Sequence, residues 1–181
     1  MKVLLCGATG FIGSNILRQL SPNKNYKFKA VGFNRKIENN LNCEEAYCDL
    51  RDPLFVQEIT KDIDTVLQFA ATTSGSRDIV NTPSLHVTDN AVMNSYLLKY
   101  ASENGVKKFV FPSCTVMYQS SETPLKETDF NPSEELFHNY FGVGNTKLYV
   151  EKIRNIINEF SNFYLIMEKL EEKYKEYLSN F

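Results

Sequence analysis

A glycine-rich turn near the start of the chain has the clearest chemical meaning. It follows a short apolar run, residues 2–6, and precedes a segment with helical character, residues 14–20. A strand, a glycine turn and a helix present the free N–H groups and the positive dipole end of the helix to a phosphate. Glycines there allow a tight turn, close approach of the backbone to a diphosphate, and close packing of helix on strand. The predicted contact residues are Gly7, Gly10, Phe11, Ile12 and Gly13.

The end of the predicted second strand, residues 28–33, bears on which dinucleotide would fit. This point of a dinucleotide-binding fold meets the adenosine ribose, where an acidic residue holds the 2′-hydroxyl and a cation suits a 2′-phosphate. The chain has Asn34 at the usual acidic position, followed by Arg35 and Lys36. This pattern favours NADP weakly, and the two basic residues are nearly as well explained as the start of a polar loop. NAD and NADP both stay open.

The glycine spacing Gly-x-x-Gly-x-x-Gly resembles that of the short-chain dehydrogenase/reductase superfamily. Gly-Ala-Thr-Gly-Phe-Ile-Gly at residues 7–13 resembles its extended branch more narrowly: the NAD-dependent epimerase/dehydratase family, which acts on nucleotide sugars. The resemblance implies that Asp49 and Leu50 lie beside the adenine and that Ala70 and Ala71 line the nicotinamide side. The alternative role of Asp49 is that of a helix N-cap. The alternative role of the two alanines is close packing.

The same resemblance implies a catalytic site, in which this chain departs from the family pattern. The family has a serine or threonine, four residues before a tyrosine, that hydrogen-bonds the substrate hydroxyl. Counting back from Tyr118 reaches Cys114, with Ser113 and Thr115 on either side. A thiol is a poorer hydrogen-bond donor than a hydroxyl. Either Thr115 or Ser113 takes the role through a shifted backbone, or the role is weakened.

A second departure concerns the family's Tyr-x-x-x-Lys motif, which places both side chains on one helix face. In the family the lysine holds the ribose hydroxyls and lowers the tyrosine pKa, so that the tyrosine removes a substrate proton as hydride leaves for nicotinamide. Lys147 matches the lysine, but Val143 stands where the tyrosine is expected and cannot carry a proton. The candidate replacements are Tyr140, one turn earlier, and Tyr118.

Alternating strands and helices are predicted to position these residues. The predicted strands are residues 2–6, 28–33, 45–48, 64–69 and 107–111. One helix is expected to open at Pro53 after an N-cap at Asp49 or Asp52, and another to span residues 89–104 with Gly105 as its C-cap. The alternation predicts an α/β fold: a Rossmann-like, doubly wound parallel sheet of about five strands with helices on both faces.

Composition excludes several classes of function. The chain has 181 residues, a net charge of −2, 43% hydrophobic and 23% charged residues, which suits one globular domain and argues against a nucleic-acid-binding surface. No apolar run approaches the roughly 18–20 residues that span a bilayer, so no membrane association is expected. The four cysteines and two histidines lack metal-ligand spacing. We therefore expect no metal site, and free thiols in a reducing cytoplasm.

The C-terminal residues predict a further element. Apolar residues from Phe163 to Phe181 recur at steps of three and four, which indicates an amphipathic helix. The predicted organisation is an NAD(P)-binding domain at residues 1–160 and a helical extension at residues 161–181. The helix would either cover the sheet edge or mediate a homodimer. A sixth strand beginning near Phe163 is the less supported alternative.

Two classes of function follow from these patterns. The first is an NAD(P)-dependent epimerase, dehydratase or reductase of nucleotide sugars, which transfers hydride at a sugar hydroxyl or carbonyl. The second is a non-catalytic NAD(P)-binding module, either regulatory or half of an enzyme. Val143 and Cys114 favour the second class, and so does the absence of the substrate domain that family members usually carry after the Lys147 helix.

Overall fold

The computed structural model describes residues 1–72, 81–131, 133–134, 136, 138–161 and 164–165. In this part of the chain six parallel strands form one sheet in the order β3-β2-β1-β4-β5-β6. The strands are β1 (Lys2–Cys6), β2 (Lys27–Gly32), β3 (Cys43–Tyr47), β4 (Thr65–Gln68), β5 (Lys108–Val110) and β6 (Tyr164–Leu165). The helices are α1 (Phe11–Leu20), α2 (Pro53–Ile59), α3 (Thr88–Glu103) and α4 (Phe141–Ser161). The predicted Rossmann-like parallel sheet is confirmed; the predicted ends of β1 are correct, and those of β2 to β5 differ by one or two residues.

Strand β1 lies at the centre of the sheet and is buried on both faces, as its unbroken apolar sequence requires. It pairs with β2 on one side and with β4 on the other. Val3 and Leu5 pack in the core that contains Leu17 of α1, whereas Leu4 and Cys6 pack in the core shared with α2, α3 and α4. Because neighbouring residues of a strand point to opposite faces, helices cover both faces, as predicted.

The helix ends follow local sequence signals. Helix α1 begins at Phe11 with Gly10 as its N-cap, three residues earlier than the helical segment expected from the sequence. Asp52 is the N-cap of α2, where its carboxylate accepts hydrogen bonds from the N–H groups of Leu54 and Phe55. Of the two aspartates considered for this role, the structure therefore selects Asp52. Gly105 follows α3 with a φ of +73°, the backbone conformation that a C-terminal glycine supplies.

The chain after α4 returns to the sheet. Tyr164 and Leu165 pair with Lys108 and Phe109 of β5, so these two residues form the sixth strand that was the less supported alternative to a helix. An edge strand carries unpaired N–H and C=O groups that a passing segment can take up. The rest of the predicted C-terminal helix lies outside the described residues and stays a prediction.

No helix among the described residues is both long enough and apolar enough to cross a membrane.

Candidate cofactor-binding site

A cleft of about 530 Å³ opens at the carboxyl ends of the four strands β1 to β4. The sequence-predicted cofactor contacts from four separate loops line it together: Gly7, Gly10, Phe11, Ile12, Gly13, Asn34, Arg35, Asp49, Leu50, Ala70 and Ala71. Open parallel sheets bind their ligands at this edge. The structure thus brings the predicted residues to one place, and their contact with a cofactor stays a prediction.

A second cleft, of about 540 Å³, lies at the opposite edge of the sheet. Its lining includes Lys2, Lys27 and Lys29, at or near the amino ends of β1 and β2, and contains none of the predicted site residues. The candidate site is therefore the cleft at the carboxyl edge, although the two cavities are similar in size.

Two of the three glycines in the turn are required by backbone contacts. Gly7 has a φ of +80°, and a β-carbon on it would lie 2.6 Å from the amide nitrogen of Ala70. A β-carbon on Gly13 would lie 2.3 Å from the carbonyl oxygen of Gly7. Any side chain at either position would push α1 or the loop after β4 away from β1. The glycines keep these backbones in contact and add no side chain of their own to the floor of the cleft.

The N-terminus of α1 faces this floor. Gly10 is the N-cap, and no side chain among the described residues caps the helix. The first N–H groups of a helix have no acceptor within the helix, and Phe11, Ile12 and Gly13 of this first turn line the cleft. Unpaired N–H groups and the positive end of the helix dipole together favour an anion at this point.

The loop after β2 presents Asn34 and Arg35 as exposed side chains of the cleft. Tyr47 at the end of β3 fixes this loop, because its hydroxyl accepts a hydrogen bond from the N–H of Ile37 at 3.0 Å and donates one to Glu45 at 2.7 Å. Among the described residues Arg35 forms no salt bridge. Its guanidinium is therefore available to a ligand in the cleft.

The loop after β3 is organised by Arg51, which the sequence reasoning passed over. Its guanidinium donates to both carboxylate oxygens of Asp49, from Nε at 2.9 Å and from a terminal nitrogen at 2.6 Å. The other terminal nitrogen lies 2.8 Å from Oδ2 of Asp89 on α3. The hydrogen bonds from Arg51 hold the pKa of the Asp49 carboxyl below its usual range. Asp49 is thus an ionised, oriented carboxylate in the wall of the cleft.

The loop after β4 is held by the fully buried side chain of Gln68, also missed from the sequence. Its Oε1 accepts from the N–H of Ala70 at 3.2 Å, and its Nε2 donates to the carbonyl of Ala70 at 3.1 Å and to Oδ1 of Asn94 at 3.0 Å. Two residues further on, Asn90 exchanges hydrogen bonds with both backbone groups of Thr72, each at 3.0 Å. The position of Ala70 is therefore set by side-chain hydrogen bonds as well as by packing.

Cys48 is a buried thiol in the wall of the same cleft. Burial, with the nearby carboxylates of Asp49 and Asp52, raises its pKa to about 11. The thiol is therefore neutral near neutral pH and acts as a small apolar wall group.

The residues predicted for catalysis lie elsewhere. Lys147 on α4 donates from Nζ to the carbonyl of Pro112 at 2.7 Å and lies 4.2 Å from the centre of the Phe111 ring. Burial lowers the Lys147 pKa, against the opposing influence of Cys114 and Glu151. Glu151 in turn accepts a short hydrogen bond from Ser113. Lys147, Cys114 and Ser113 thus belong to one polar cluster next to the segment that follows the carboxyl end of β5.

The structure does not bring these groups into the cleft described above: Lys147, Cys114, Thr115 and Tyr140 are absent from its lining. Thr115 opens a short 3-10 turn and is exposed, and Tyr140 ends the 3-10 turn that precedes α4. The ring of Tyr118 packs edge-on against Phe130, with centroids 5.4 Å apart.

No group of three or more histidine, cysteine or acidic side chains within the described part of the chain is arranged to hold a metal ion.

Several known proteins are similar, over part of their length, to this chain in sequence or in fold. Over 142 residues the chain is 28% identical to GDP-mannose 3,5-epimerase of Arabidopsis thaliana, covering 74% of this chain and 38% of that protein. The fold matches UDP-glucose 4-epimerase with UDP-glucose from Thermotoga maritima at a TM-score of 0.75 and 22% identity, over 92% of this chain and 55% of that one. It also matches MoeE5 in complex with UDP-glucose and NAD at a TM-score of 0.74 and 24% identity, over 91% and 52% of the two chains.

The chain therefore spans about two fifths to just over half of the length of these proteins. At these identities the two structures show the fold alone. The family is shown by a separate finding, since residues 3–167 match the sequence profile of the NAD dependent epimerase/dehydratase family. With the sheet order and the glycine turn described above, this match identifies the chain as a member of the NAD-dependent epimerase/dehydratase family.

Proposed function

We propose that the cleft binds NAD or NADP, with the diphosphate at the N-terminus of α1. The observation that carries the proposal is the uncapped first turn of α1, which lies close against β1 because Gly7 and Gly13 have no β-carbon to clash with the neighbouring backbone. Such a site suits a diphosphate, because its two negative charges can approach the backbone closely where glycines have no side chain. When bound, the dinucleotide supplies a nicotinamide ring that accepts or donates hydride.

The remaining contacts follow from the positions of the loops. Asp49 would accept a hydrogen bond from the adenine amino group, and Leu50 would pack beside the ring. Asn34 and Arg35 would face the adenosine ribose, where the free guanidinium of Arg35 suits a 2′-phosphate and the neutral amide of Asn34 does not repel one. Ala70 and Ala71 would leave room for the nicotinamide end.

The proposed chemistry is hydride transfer on a nucleotide sugar, because two of the similar proteins are named as nucleotide-sugar epimerases and two of the similar structures hold UDP-glucose. In this chain the catalytic groups would come from α4 and from the segment after β5, outside the cleft lining: Lys147 would supply a positive charge, and Cys114 or Thr115 a hydrogen bond to substrate. Tyr140 is the proposed proton carrier in place of the family tyrosine.

The alternative is a module that binds the dinucleotide without turning over a sugar. One observation favours it: Val143 occupies the position four residues before Lys147, and the Lys147 ammonium already donates to Pro112. A homodimer and a cytoplasmic location also stay proposals.

A titration by calorimetry with NAD⁺, NADH, NADP⁺ and NADPH tests the binding proposal. The decisive variant is Gly10→Asp, since an N-cap aspartate satisfies the first-turn N–H groups and repels a diphosphate while stabilising the helix. Gly10 has the extended backbone that an N-cap aspartate adopts. We expect wild type to bind one of the four forms and Gly10→Asp to lose that binding without losing stability.

Asn23→Asp is the matched control, because it adds the same charge outside the cleft and should bind as wild type does. Failure of wild type to bind any form, or unchanged binding by Gly10→Asp, would overturn the proposal. If binding is found, conversion of UDP-glucose or GDP-mannose to an epimer, to a dehydrated sugar, or to an oxidised sugar with reduced nicotinamide distinguishes the enzyme from the non-catalytic module. The sugar product must be measured because an epimerase returns the hydride and leaves no net reduced cofactor.

A further inference from the structure

Arg51 joins two carboxylates that are distant in the sequence. Asp49 follows β3 in the wall of the cleft, and Asp89 lies in the first turn of α3. The Arg51 guanidinium binds Asp49 through two nitrogens, and its remaining terminal nitrogen lies 2.8 Å from Oδ2 of Asp89. Arginine is suited to this arrangement because its planar fork holds a carboxylate in one orientation while a third nitrogen stays available.

The same Asp89 oxygen also reaches the other end of the cleft. It accepts a hydrogen bond from the hydroxyl of Thr72 at 3.3 Å, and Thr72 directly follows Ala70 and Ala71 in the cleft wall. A continuous chain of polar contacts therefore runs from Asp49 through Arg51 and Asp89 to Thr72. It connects the loop after β3 with the loop after β4, which are the two walls that face the adenine and the nicotinamide in the proposed function.

Stability of the fold is a weak explanation for this arrangement. The side chains of Arg51 and Asp89 are 38% and 33% exposed, and ion pairs at that exposure contribute little to stability because solvent screens them. Their effect on geometry is larger, since without the Arg51 side chain the Asp49 carboxylate would keep only the hydrogen bond that its Oδ1 accepts from the backbone N–H of residue 51, at 2.9 Å. Arg51 also neutralises part of the negative charge that Asp49 and Asp89 would otherwise direct at an anionic ligand.

We propose that Arg51 and Asp89 are positioning residues of the dinucleotide site, which orient the Asp49 carboxylate toward the adenine and fasten the adenine wall to the loop after β4. The inference rests on the proposed cofactor binding. It assigns a function in ligand affinity to two side chains that need not touch the ligand.

The test measures dissociation constants for ADP and for the preferred dinucleotide with Arg51→Met, Arg51→Lys and Asp89→Asn, each in the intact chain. Loss of hydrogen bonds to a charged group predicts about tenfold weaker binding of both ligands by Arg51→Met. Arg51→Lys keeps the charge but not the fork, so we expect it to restore only part of the affinity. Asp89→Asn should weaken binding by a smaller factor, and the urea midpoint of each variant should stay near that of wild type.

A double-mutant cycle separates positioning from a general structural effect. In an Asp49→Asn background, Arg51→Met should cause little further loss, because there is no longer a carboxylate to orient. Equal losses in both backgrounds, full rescue by Arg51→Lys, or wild-type affinity in Arg51→Met would overturn the inference while leaving the cofactor proposal intact. Absence of binding by wild type would overturn both.

Discussion

Gly13 of α1 and Gly7 at the end of β1 are in direct backbone contact: a β-carbon on Gly13 would lie 2.3 Å from the carbonyl oxygen of Gly7 and 2.9 Å from its carbonyl carbon. Gly7 meets the loop after β4 in the same way, through the amide of Ala70. Strand, helix and loop thus converge on backbone atoms alone. This contact keeps the first turn of α1 at the carboxyl edge of the sheet, where an anion can reach it.

The contact predicts a large difference between two alanine substitutions. Gly13→Ala forces α1 away from β1 and should lower the free energy of unfolding by roughly 2 kcal/mol or more, as overpacking against backbone does. Gly10→Ala is the control, because its β-carbon would lie 3.3 Å from the same Gly7 oxygen and should cost less than half as much. Urea denaturation measures both, and equal losses would contradict the assigned contact.

We expect replacement of Gln68 to lower the free energy of unfolding, because its side-chain hydrogen bonds would be lost. Gln68→Leu leaves the backbone groups of Ala70 and the amide of Asn94 without their partner in a buried place, which should cost roughly 2–3 kcal/mol of unfolding free energy. Gln57→Leu makes the same chemical change on the exposed side of α2 and should stay within about 0.5 kcal/mol of wild type. A Gln68 variant as stable as its control would show that the observed network contributes nothing.

In the proposed binding mode, the side chain at position 34 influences whether the cleft prefers NAD or NADP. Asn34→Asp places a carboxylate where it accepts a hydrogen bond from a ribose 2′-hydroxyl and repels a 2′-phosphate. We expect the ratio of NAD to NADP affinity to rise by about tenfold, the effect of one charged hydrogen bond. Asn39→Asp, in the same loop but outside the cleft lining, serves as control in the same calorimetric titration. An unchanged ratio would remove residue 34 from the ribose contact.

We expect Lys147 to make the free energy of unfolding depend on pH. Burial lowers its pKa below the ordinary value of 10.5, so the unfolded chain binds more protons than the folded chain between the two values. Stability from this group therefore rises as pH increases from the folded pKa toward 10.5. Lys147→Met should remove that rise.

The exposed Lys152 of α4 provides the matched control for this measurement. Because cysteines and tyrosines also titrate at alkaline pH, the informative quantity is the difference in unfolding free energy between each variant and wild type across the pH series. This difference should change with pH for Lys147→Met and stay constant for Lys152→Met. A constant difference for both would mean that Lys147 is solvated.

We expect the four cysteines to be alkylated in an order set by how far each thiol is buried. Burial raises the pKa of all four thiols, most strongly for Cys6 and Cys48, which are the two buried cysteines. Cys43 and Cys114 are partly exposed. Since the thiolate is the reactive form, iodoacetamide should modify Cys43 and Cys114 first in the native protein, and all four in urea. Mass spectrometry of the labelled peptides measures the order, and early labelling of Cys48 would contradict its burial.

Much of the fold follows from local features of the sequence. The short apolar run at residues 2–6 predicted β1, and glycines at positions 7, 10 and 13 predicted the turn before α1. Pro53 and Gly105 marked helix ends because their backbone preferences act within a few residues. Regular alternation of strands and helices then allowed few topologies other than a parallel sheet. Eleven of the twelve cofactor candidates gathered in one cleft for the same reason: they follow strands whose carboxyl ends share one edge. The twelfth, Lys147, is absent from the cleft lining.

The tertiary structure decided the features that join distant residues. In the sequence Gln68 is an ordinary polar residue, and only the fold shows that it hydrogen-bonds to Asn94. Arg51 binds a second carboxylate only because α3 places Asp89 next to the loop after β3. Tyr164 and Leu165 became a strand because β5 offered an unpaired edge, although their apolar pattern fits a helix. Lys147 lies against Pro112 rather than in the cleft. Spacing along a chain determines which residues share an element, but only packing determines which elements meet and which charges and hydrogen-bonding groups find partners.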